Sequence, residues 1–230
     1  MTSYSAIGLM SGTSLDGLDI CHVKFSKSNN WSFEILKAKT ISYKETWKYK
    51  LQNATQLSAE DLLALDKEFG FFLAEKTQEF ISEYNIKDLD VIASHGHTIF
   101  HQPHRKFTLQ IGDGRVIKLL TNKTVVYDFR SQDVLMGGNG APLVPIGDEL
   151  LFSEFDACLN LGGFSNISLK KNEKRIAFDI SAVNVVLNFF AEKLGKNYDE
   201  NGNFAKNGNI NLKILEELNA LDFYKKQHPK

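Results

Sequence analysis

Two glycine-rich polar turns, each between apolar strand-like segments, constrain the fold of this chain more than any other feature. The first lies within Gly8–Asp19, where an apolar run is followed by two glycines, three hydroxyl residues and two carboxylates. The second lies within Ala157–Leu169 and repeats the order of apolar strand, glycine-rich turn and strand. Neither turn matches a glycine-rich loop that begins a helix. The repetition predicts duplicated halves, each built around a strand hairpin.

The composition of the first turn favours phosphate binding. Glycine lets backbone N–H groups approach a phosphoryl oxygen, and Ser11, Thr13 and Ser14 add short donors. Asp16 or Asp19 can hold a magnesium ion beside the same phosphates. The alternative is an ordinary hairpin turn, because Asp-Gly is a common hairpin dipeptide. Residue chemistry alone leaves both interpretations open.

Composition places the chain among ordinary globular proteins. The chain has 230 residues, 43% of them hydrophobic, and its 27 basic and 28 acidic residues give a net charge of −1. This balance favours neither a nucleic acid nor a membrane surface as partner. Cys21 and Cys158 lie far apart in predicted strands, which favours reduced thiols and a cytoplasmic location. The first apolar run, Ala6–Met10, is too short for a signal peptide.

The N-terminal half shows the pattern of a strand meander followed by one long helix. Apolar or alternating segments separated by turn residues predict strands over residues 5–11, 18–26 and 31–41. From Ser58, a candidate N-cap, apolar residues recur at helical spacing as far as Tyr84. The helix predicted there needs the sheet to bury its apolar stripe.

Two further apolar strands locate the expected functional edge of that sheet. They are predicted over residues 89–94 and 124–128, and each ends in polar residues. In α/β sheets, polar groups that follow strands in this way meet at one edge.

The C-terminal half repeats the meander and then shortens. A helix is predicted from Pro145 through Phe152, and a later helix over residues 182–194 has Ser181 as candidate N-cap. The strands between them are predicted over residues 157–161, 165–170 and 175–180. The last predicted helix turns four leucines inward, namely Leu212, Leu215, Leu218 and Leu221. We place the domain division between residues 1–135 and 136–230.

Seven ordered motifs together resemble the anhydro-N-acetylmuramic acid kinase family of the actin-like ATPase and sugar kinase superfamily. They are Met10–Asp19, Ser94–Thr98, Leu109–Asp113, Asp128–Arg130, Gly137–Leu143, Leu159–Asn166 and Phe178–Asp179. The resemblance covers the whole chain. It implies an α/β fold of actin-like (ribonuclease H-like) duplicated domains, with mixed sheets flanked by helices and the second domain incomplete.

The resemblance also implies a reaction. ATP, with Mg²⁺, and water would convert 1,6-anhydro-N-acetylmuramic acid into N-acetylmuramic acid 6-phosphate during bacterial cell-wall recycling. The implied partner is a small amino sugar, and a homodimer is left open. The alternatives are a catalytically silent nucleotide- or sugar-binding module and a kinase for a different amino sugar.

The resemblance assigns roles to individual residues. Asp179 matches the general base, although the residues alone favour its being the cap of a helix that begins near Ala182. Arg130 is suited to a lactyl carboxylate, and the alternative, which does not exclude this role, is a salt bridge to Asp128 or Asp133. The implied sugar-binding residues are Thr98, Asp128, Arg130 and His95. The implied phosphate-binding residues are Gly12, Thr13, Ser14, Leu15, Asp16, Gly17, Leu18 and Asp19 in the first turn, and Gly162, Gly163 and Asn166 in the second.

Three departures from the family pattern accompany these assignments. Ile180-Ser-Ala-Val183 replaces a glycine-rich turn after Asp179, and His97 stands where glutamine is usual. Family members also continue past the position of Lys230, so we expect a truncated reading frame with little kinase turnover on its own. The histidines at 95, 97, 101 and 104 suggest a zinc site less strongly than hydrogen-bonding roles, because no cysteine or clear acidic ligand joins them.

Overall fold

The chain forms an α/β structure of two units in the computed structural model, which describes residues 2–172 and 174–226. The N-terminal unit is Met1–Leu143 and the C-terminal unit is Val144–Lys230. Each unit contains its own sheet.

A mixed sheet forms the centre of the N-terminal unit. Its strands are β1 (Thr2–Ser11), β2 (Gly17–Lys27), β3 (Trp31–Ser42), β4 (Val91–Gln102), β5 (Phe107–Ile111) and β6 (Thr124–Tyr127). The order is β3-β2-β1-β4-β5, and β6 also pairs with β4. The first three strands are an antiparallel meander, β4 is parallel to β1 and β6, and β5 is antiparallel to β4. The predicted meander is therefore confirmed, as is the mixed α/β character of the sheet.

Four helices accompany this sheet, and the longest contributes more buried core residues than any of the others. They are α1 (Glu45–Gln52), α2 (Ala59–Glu83), α3 (Gly114–Thr121) and α4 (Ser131–Leu135), with short 3₁₀ turns at Ala54–Gln56 and Pro103–Arg105. Ser58 caps α2 by accepting a hydrogen bond from the backbone N–H of Asp61. Phe69 and Phe80 of α2 are fully buried in the same core as Ile7. The apolar stripe predicted this helix because burying it on the sheet removes it from water.

An antiparallel meander forms the sheet of the C-terminal unit. Its strands are β7 (Ala157–Leu161), β8 (Phe164–Lys171) and β9 (Lys174–Ala182), in the order β7-β8-β9. The helices are α5 (Val144–Leu151), α6 (Asn184–Lys193), α7 (Asn203–Asn207), α8 (Leu212–Asn219) and α9 (Asp222–Lys225), with a 3₁₀ turn at Glu200–Gly202.

Two details predicted for the C-terminal unit are wrong. Ser181 does not cap α6, because β9 continues through Ala182 and the N-cap is Val183, which makes no side-chain cap. The four leucines predicted to face inward on the last helix are 43–69% exposed, and α8 buries no residue. Helical spacing identifies an apolar face, but it does not supply a surface to cover that face.

Both cysteines lie in strands, as predicted, and are partly buried. Cys21 and Cys158 are free thiols in β2 and β7. Within residues 2–172 and 174–226, no helix has the length and hydropathy needed to cross a membrane.

Candidate functional site

The first glycine-rich turn is a hairpin held closed by its own side chains. It joins antiparallel β1 and β2, which pair from Ser11 opposite Leu18. Asp16 Oδ1 accepts hydrogen bonds from Ser14 Oγ (2.8 Å) and from the backbone N–H of Gly17 (3.0 Å). Gly17 is required at this point, because a Cβ there would lie 2.5 Å from the carbonyl oxygen of Ile41. The hairpin alternative is therefore correct for the backbone, and it is compatible with phosphate binding at the exposed residues 13 and 14.

Asp16 and Asp19, the predicted magnesium ligands, lie at the turn and on β2 with exposed side chains. Asp19 Oδ1 accepts a 2.5 Å hydrogen bond from Thr40 Oγ1, and Asp16 Oδ1 is occupied by the turn itself. Each carboxylate keeps its second oxygen without a hydrogen-bond partner in the described residues. Among the same residues, no group of three or more His, Cys, Asp or Glu side chains could hold a metal ion. These side chains alone therefore do not form a directly ligated metal centre, and this includes the zinc site considered for the histidines. A magnesium ion bound through water stays a prediction.

Behind the turn, a buried hydrogen-bond chain connects three elements. The Tyr43 hydroxyl donates to Ser11 Oγ at 2.6 Å, and Ser11 Oγ lies 2.8 Å from His97 Nδ1. These side chains are 4%, 2% and 3% exposed. Burial raises the pKa of Tyr43 to about 12 and lowers that of His97 to about 4. Both groups are therefore neutral near pH 7, and they fix the end of β1 to β4 and to the segment after β3.

Arg130 is bound by His95 and by a backbone carbonyl. Its Nε and Nη2 lie 3.1 and 2.9 Å from His95 Nε2, and its Nη1 donates to the carbonyl oxygen of Gly140 at 2.5 Å. His95 Nδ1 lies 3.0 Å from the carbonyl oxygen of Gly96, which assigns the proton to Nδ1 and leaves Nε2 as acceptor. Burial, together with the Arg130 charge, lowers the pKa of His95. The guanidinium is thus half-buried beside a neutral ring.

The salt bridge considered as an alternative for Arg130 does not form with Asp128 or Asp133 within the described ranges. Asp128 Oδ1 instead accepts from the backbone N–H of Ser131 (3.3 Å), and Asp133 Oδ2 accepts from that of Gly140 (2.7 Å). Both carboxylates therefore organise the backbone around Arg130 rather than neutralise it.

Thr98 and Asp128 lie at the same end of the sheet, with different surroundings. Thr98 pairs with Gln110 across β4 and β5, and Gln110 Nε2 donates to Thr98 Oγ1 at 3.3 Å. Asp128 and Gln110 both line a depression of about 170 Å³. Gln110 Oε1 is buried without a partner among the described residues. Sequence reasoning missed Gln110 and Gly140 as contributors, although both lie within motifs that carried the resemblance.

In the C-terminal unit, the second glycine-rich turn caps a helix with its carbonyl groups. Gly163 O accepts from the backbone N–H groups of Val183 (2.9 Å) and Val185 (3.2 Å), and Gly162 O accepts from that of Asn184 (3.3 Å). The Asn184 side chain also donates to the carbonyl oxygen of Leu161 at 3.2 Å. The turn between β7 and β8 is therefore joined to the start of α6.

Asp179 and Asn166 are neighbours across β8 and β9. They form a directly opposed pair, beside an irregularity in the register at Ser165. Asp179 is exposed and lies inside β9, so the helix-cap alternative is wrong for this residue. The structure thus brings together two residues that the sequence assigned to separate roles, as general base and as part of the second turn.

The fold and these groups define a class of protein: an α/β chain with a mixed sheet and clusters of polar side chains at the ends of its strands. Comparison with known sequences identifies the family within that class. The sequence model described as Anhydro-N-acetylmuramic acid kinase matches residues 4–230. The chain therefore belongs to this family.

Curated relatives carry the same description. The chain is 37% identical over 234 residues to an anhydro-N-acetylmuramic acid kinase of Pseudomonas fluorescens (strain Pf0-1), covering 97% of this chain and 63% of that protein. It is 35% identical to proteins of the same name from Pasteurella multocida (strain Pm70) and Bacillus cereus (strain AH820). The chain spans 62–63% of the length of these three relatives.

Proposed function

We propose that the protein is an ATP-dependent kinase that opens 1,6-anhydro-N-acetylmuramic acid and phosphorylates its oxygen 6. The observation that carries the proposal is the family match over residues 4–230. The relatives are named for this activity, and the sequence motifs of both turns and of the Arg130 cluster lie within the matched region. Actin-like duplication of the two units is part of the same proposal.

In the proposed reaction, Asp179 acts as general base. Its exposed carboxylate would take a proton from a water molecule that attacks the anomeric carbon. The bond from that carbon to oxygen 6 breaks, and oxygen 6 attacks the terminal phosphate of ATP, releasing ADP. Asn166 lies opposite Asp179 in the sheet and would hold the carboxylate or the water in position.

The remaining assigned residues would bind the two substrates. The backbone N–H groups and hydroxyls of the first turn would bind phosphate oxygens, and Mg²⁺ would add positive charge there through Asp16 and Asp19. Thr98 and Asp128 suit hydroxyl groups of the sugar. Arg130 would bind the lactyl carboxylate by exchanging one of its contacts to His95 for the ligand, since a carboxylate is the stronger acceptor for a guanidinium.

One observation favours a second candidate, a silent binding module. The residues after Asp179 continue β9 through Ala182, where a flexible turn would otherwise let the carboxylate move. A strand limits such movement, because Asp179, Ser181 and Ala182 pair with residues of β8 on either side of the register irregularity at Ile180. In this alternative the chain binds sugar or nucleotide but does not transfer phosphate.

The test compares product formation with binding. Two samples are used: the 230-residue chain and a chimera that adds the remaining part of the Pseudomonas fluorescens relative. Each is incubated with ATP, Mg²⁺ and the anhydro sugar. Mass spectrometry then measures the N-acetylmuramic acid 6-phosphate that is formed. Asp179→Asn should abolish product in the active sample while calorimetry still detects ATP binding. Asp156→Asn is the matched control, since this exposed carboxylate precedes β7 in the same unit.

Each outcome selects one interpretation. Near-normal product from Asp179→Asn would remove this residue from the mechanism. Binding of sugar or nucleotide without product in both samples would identify the silent module. Phosphorylation of N-acetylmuramic acid or glucosamine, but not of the anhydro sugar, would indicate a kinase for a different amino sugar.

A further inference from the structure

A second cavity lies at the opposite end of β1 and β2 from the first turn. It has a volume of about 650 Å³ and is lined by the start of β1, the later part of β2, residues 36–37 of β3 and the connection from α2 to β4. No residue of Gly12–Asp16, and neither Thr98 nor Arg130, lines it. Its size is that of a small-molecule pocket, roughly 300–1,000 Å³. The proposed kinase reaction makes no use of it.

The floor of this cavity is polar and held in place by hydrogen bonds. Ser5 Oγ lies 2.8 Å from His22 Nε2, and the His22 side chain is buried. The backbone N–H of Ser5 donates to Asp90 Oδ2 at 2.8 Å, while the backbone N–H of Asp90 donates to the carbonyl oxygen of Ser5 at 2.9 Å. Three segments of the chain are thereby fixed around a hydroxyl and an imidazole that face the cavity.

Three ammonium groups line the same cavity. Lys24, Lys37 and Lys87 form no ion pair among the described residues. Two carboxylates, those of Asp88 and Asp90, line it as well, and Asp90 keeps its charge because the Ser5 N–H that it accepts from is neutral. Three ammonium groups against two carboxylates leave a net charge of +1 over a floor of hydrogen-bonding groups. Lysine ammonium groups are common partners of phosphate.

An apolar and aromatic wall completes the cavity. Leu36, Tyr84 and Ile86 line one part of it, and Lys37 Nζ lies 5.4 Å from the centre of the Tyr84 ring. Leu36 keeps 37% of its surface exposed. Such a wall beside a cationic rim suits a ligand with an anionic group at one end and a compact ring at the other.

We propose that this cavity binds a small phosphate monoester with a ring, of the sugar phosphate type. Lys24 and Lys37 contact the phosphate, and the ring lies against Tyr84 and Leu36 above the Ser5–His22 pair. The site is separate from the residues assigned to the kinase reaction, so either proposal can fail alone.

Titration calorimetry of the 230-residue chain tests the proposal with three probes: glucose 6-phosphate, glucose and pyrophosphate. Glucose 6-phosphate should bind more tightly than either of the others. The double variant Lys24→Gln/Lys37→Gln should weaken its binding at least about tenfold, because two charge-assisted contacts are lost. The control Lys27→Gln/Lys118→Gln removes the same amount of charge from two exposed lysines that do not line the cavity. Lys27, like Lys37, lies over an aromatic ring, that of Trp31.

Each outcome of the calorimetry either supports the proposed site or overturns it. Weakening in the cavity variant alone supports the proposal. Equal weakening in both double variants, unchanged binding in the cavity variant, or absence of binding to the wild-type chain overturns it. Pyrophosphate binding more tightly than glucose 6-phosphate overturns the assignment of a ring-bearing ligand. Thermal unfolding of each variant confirms that the lysine substitutions leave the fold intact, and the single variants Lys24→Gln and Lys37→Gln should each show a smaller loss.

Discussion

Ser11 and His97 are 86 residues apart in the chain, yet their side chains form a buried 2.8 Å hydrogen bond between the end of β1 and β4. Tyr43 adds a third member to this chain of hydrogen bonds. The bond lies directly behind the first glycine-rich turn, so the turn has a fixed base in the N-terminal unit. Both tryptophans of the chain, Trp31 and Trp47, lie in this unit, and their fluorescence reports its unfolding.

Removing the central hydroxyl should destabilise the N-terminal unit. Ser11→Ala leaves the Tyr43 hydroxyl and His97 Nδ1 without this partner in a buried site, at a cost of about 1–3 kcal/mol for each group left unsatisfied. Tyr43→Phe should cost less, because it removes one of the groups and leaves Ser11 bonded to His97. Urea unfolding followed by tryptophan fluorescence measures both. A Tyr43→Phe protein less stable than Ser11→Ala would contradict this account of the network.

The stability of this unit should depend on the protonation of His97. Burial lowers the pKa of this ring from 6.5 to about 4, so the unfolded chain binds the proton more readily between these values. Stability is therefore complete above pH 6.5 and falls as the pH drops toward 4, by up to about 3 kcal/mol. His97→Gln keeps a hydrogen-bonding side chain without the titration. Its unfolding free energy should vary less over this pH window, and identical pH profiles for the two proteins would exclude the effect.

Asp113 should stabilise the start of α3 through its charge. It caps the helix by accepting from the backbone N–H of Arg115 at 2.8 Å, and the Arg115 and Lys67 side chains hold its pKa well below the usual range. Asp113→Asn preserves the cap but removes the charge, with an expected loss of about 1–3 kcal/mol at pH 7. The control Glu79→Gln, which breaks an exposed pair with Lys76, should change stability by less than about 1 kcal/mol. If Asp113→Asn and Glu79→Gln lost equal stability, the greater burial of Asp113 would not be the cause of its stabilising effect.

Gly17 should resist substitution, whereas Gly8 should tolerate it. A Cβ at Gly17 would meet the backbone of Ile41 at 2.5 Å, which only a shift of β3 can relieve. A Cβ at Gly8 in neighbouring β1 would make an ordinary contact at 4.0 Å. Gly17→Ala is expected to cost about 1–3 kcal/mol, and Gly8→Ala is expected to be near neutral. Fluorescence-detected unfolding compares them directly, and a neutral Gly17→Ala would show that β3 adapts.

Local sequence pattern predicted the two strand meanders and the long helix, but not β5 or the helices α1, α3 and α4. The alternating strands of each meander and the helix after Ser58 were predicted because burial of one face or one stripe repeats with a fixed period. The same logic failed at Ser181, where pairing with β8 extended the strand past the expected helix start. It failed again at α8, since periodicity carries no information about a partner surface.

The candidate site was predictable as a set of motifs but not as a set of contacts. A salt bridge from Arg130 to Asp128 or Asp133 was one alternative, yet Arg130 contacts His95, because the fold places the imidazole there and turns both carboxylates toward backbone N–H groups. Apart from the motif that contains it, no feature of the sequence marked Gln110 as a residue of the site. The cavity around Ser5 and His22 collects residues from four separate segments, and no short pattern could have indicated it.

The amino-acid sequence by itself determined the turns, the strand meanders, the long helix and the family, because these depend on neighbouring residues or on motifs in order. Tertiary structure alone decided which distant side chains share a hydrogen bond, which carboxylates are neutralised and which apolar faces stay exposed. The reason is that hydrogen bonding and burial depend on distances in space, and strand pairing brings together residues such as Ser11 and His97 that the chain keeps far apart.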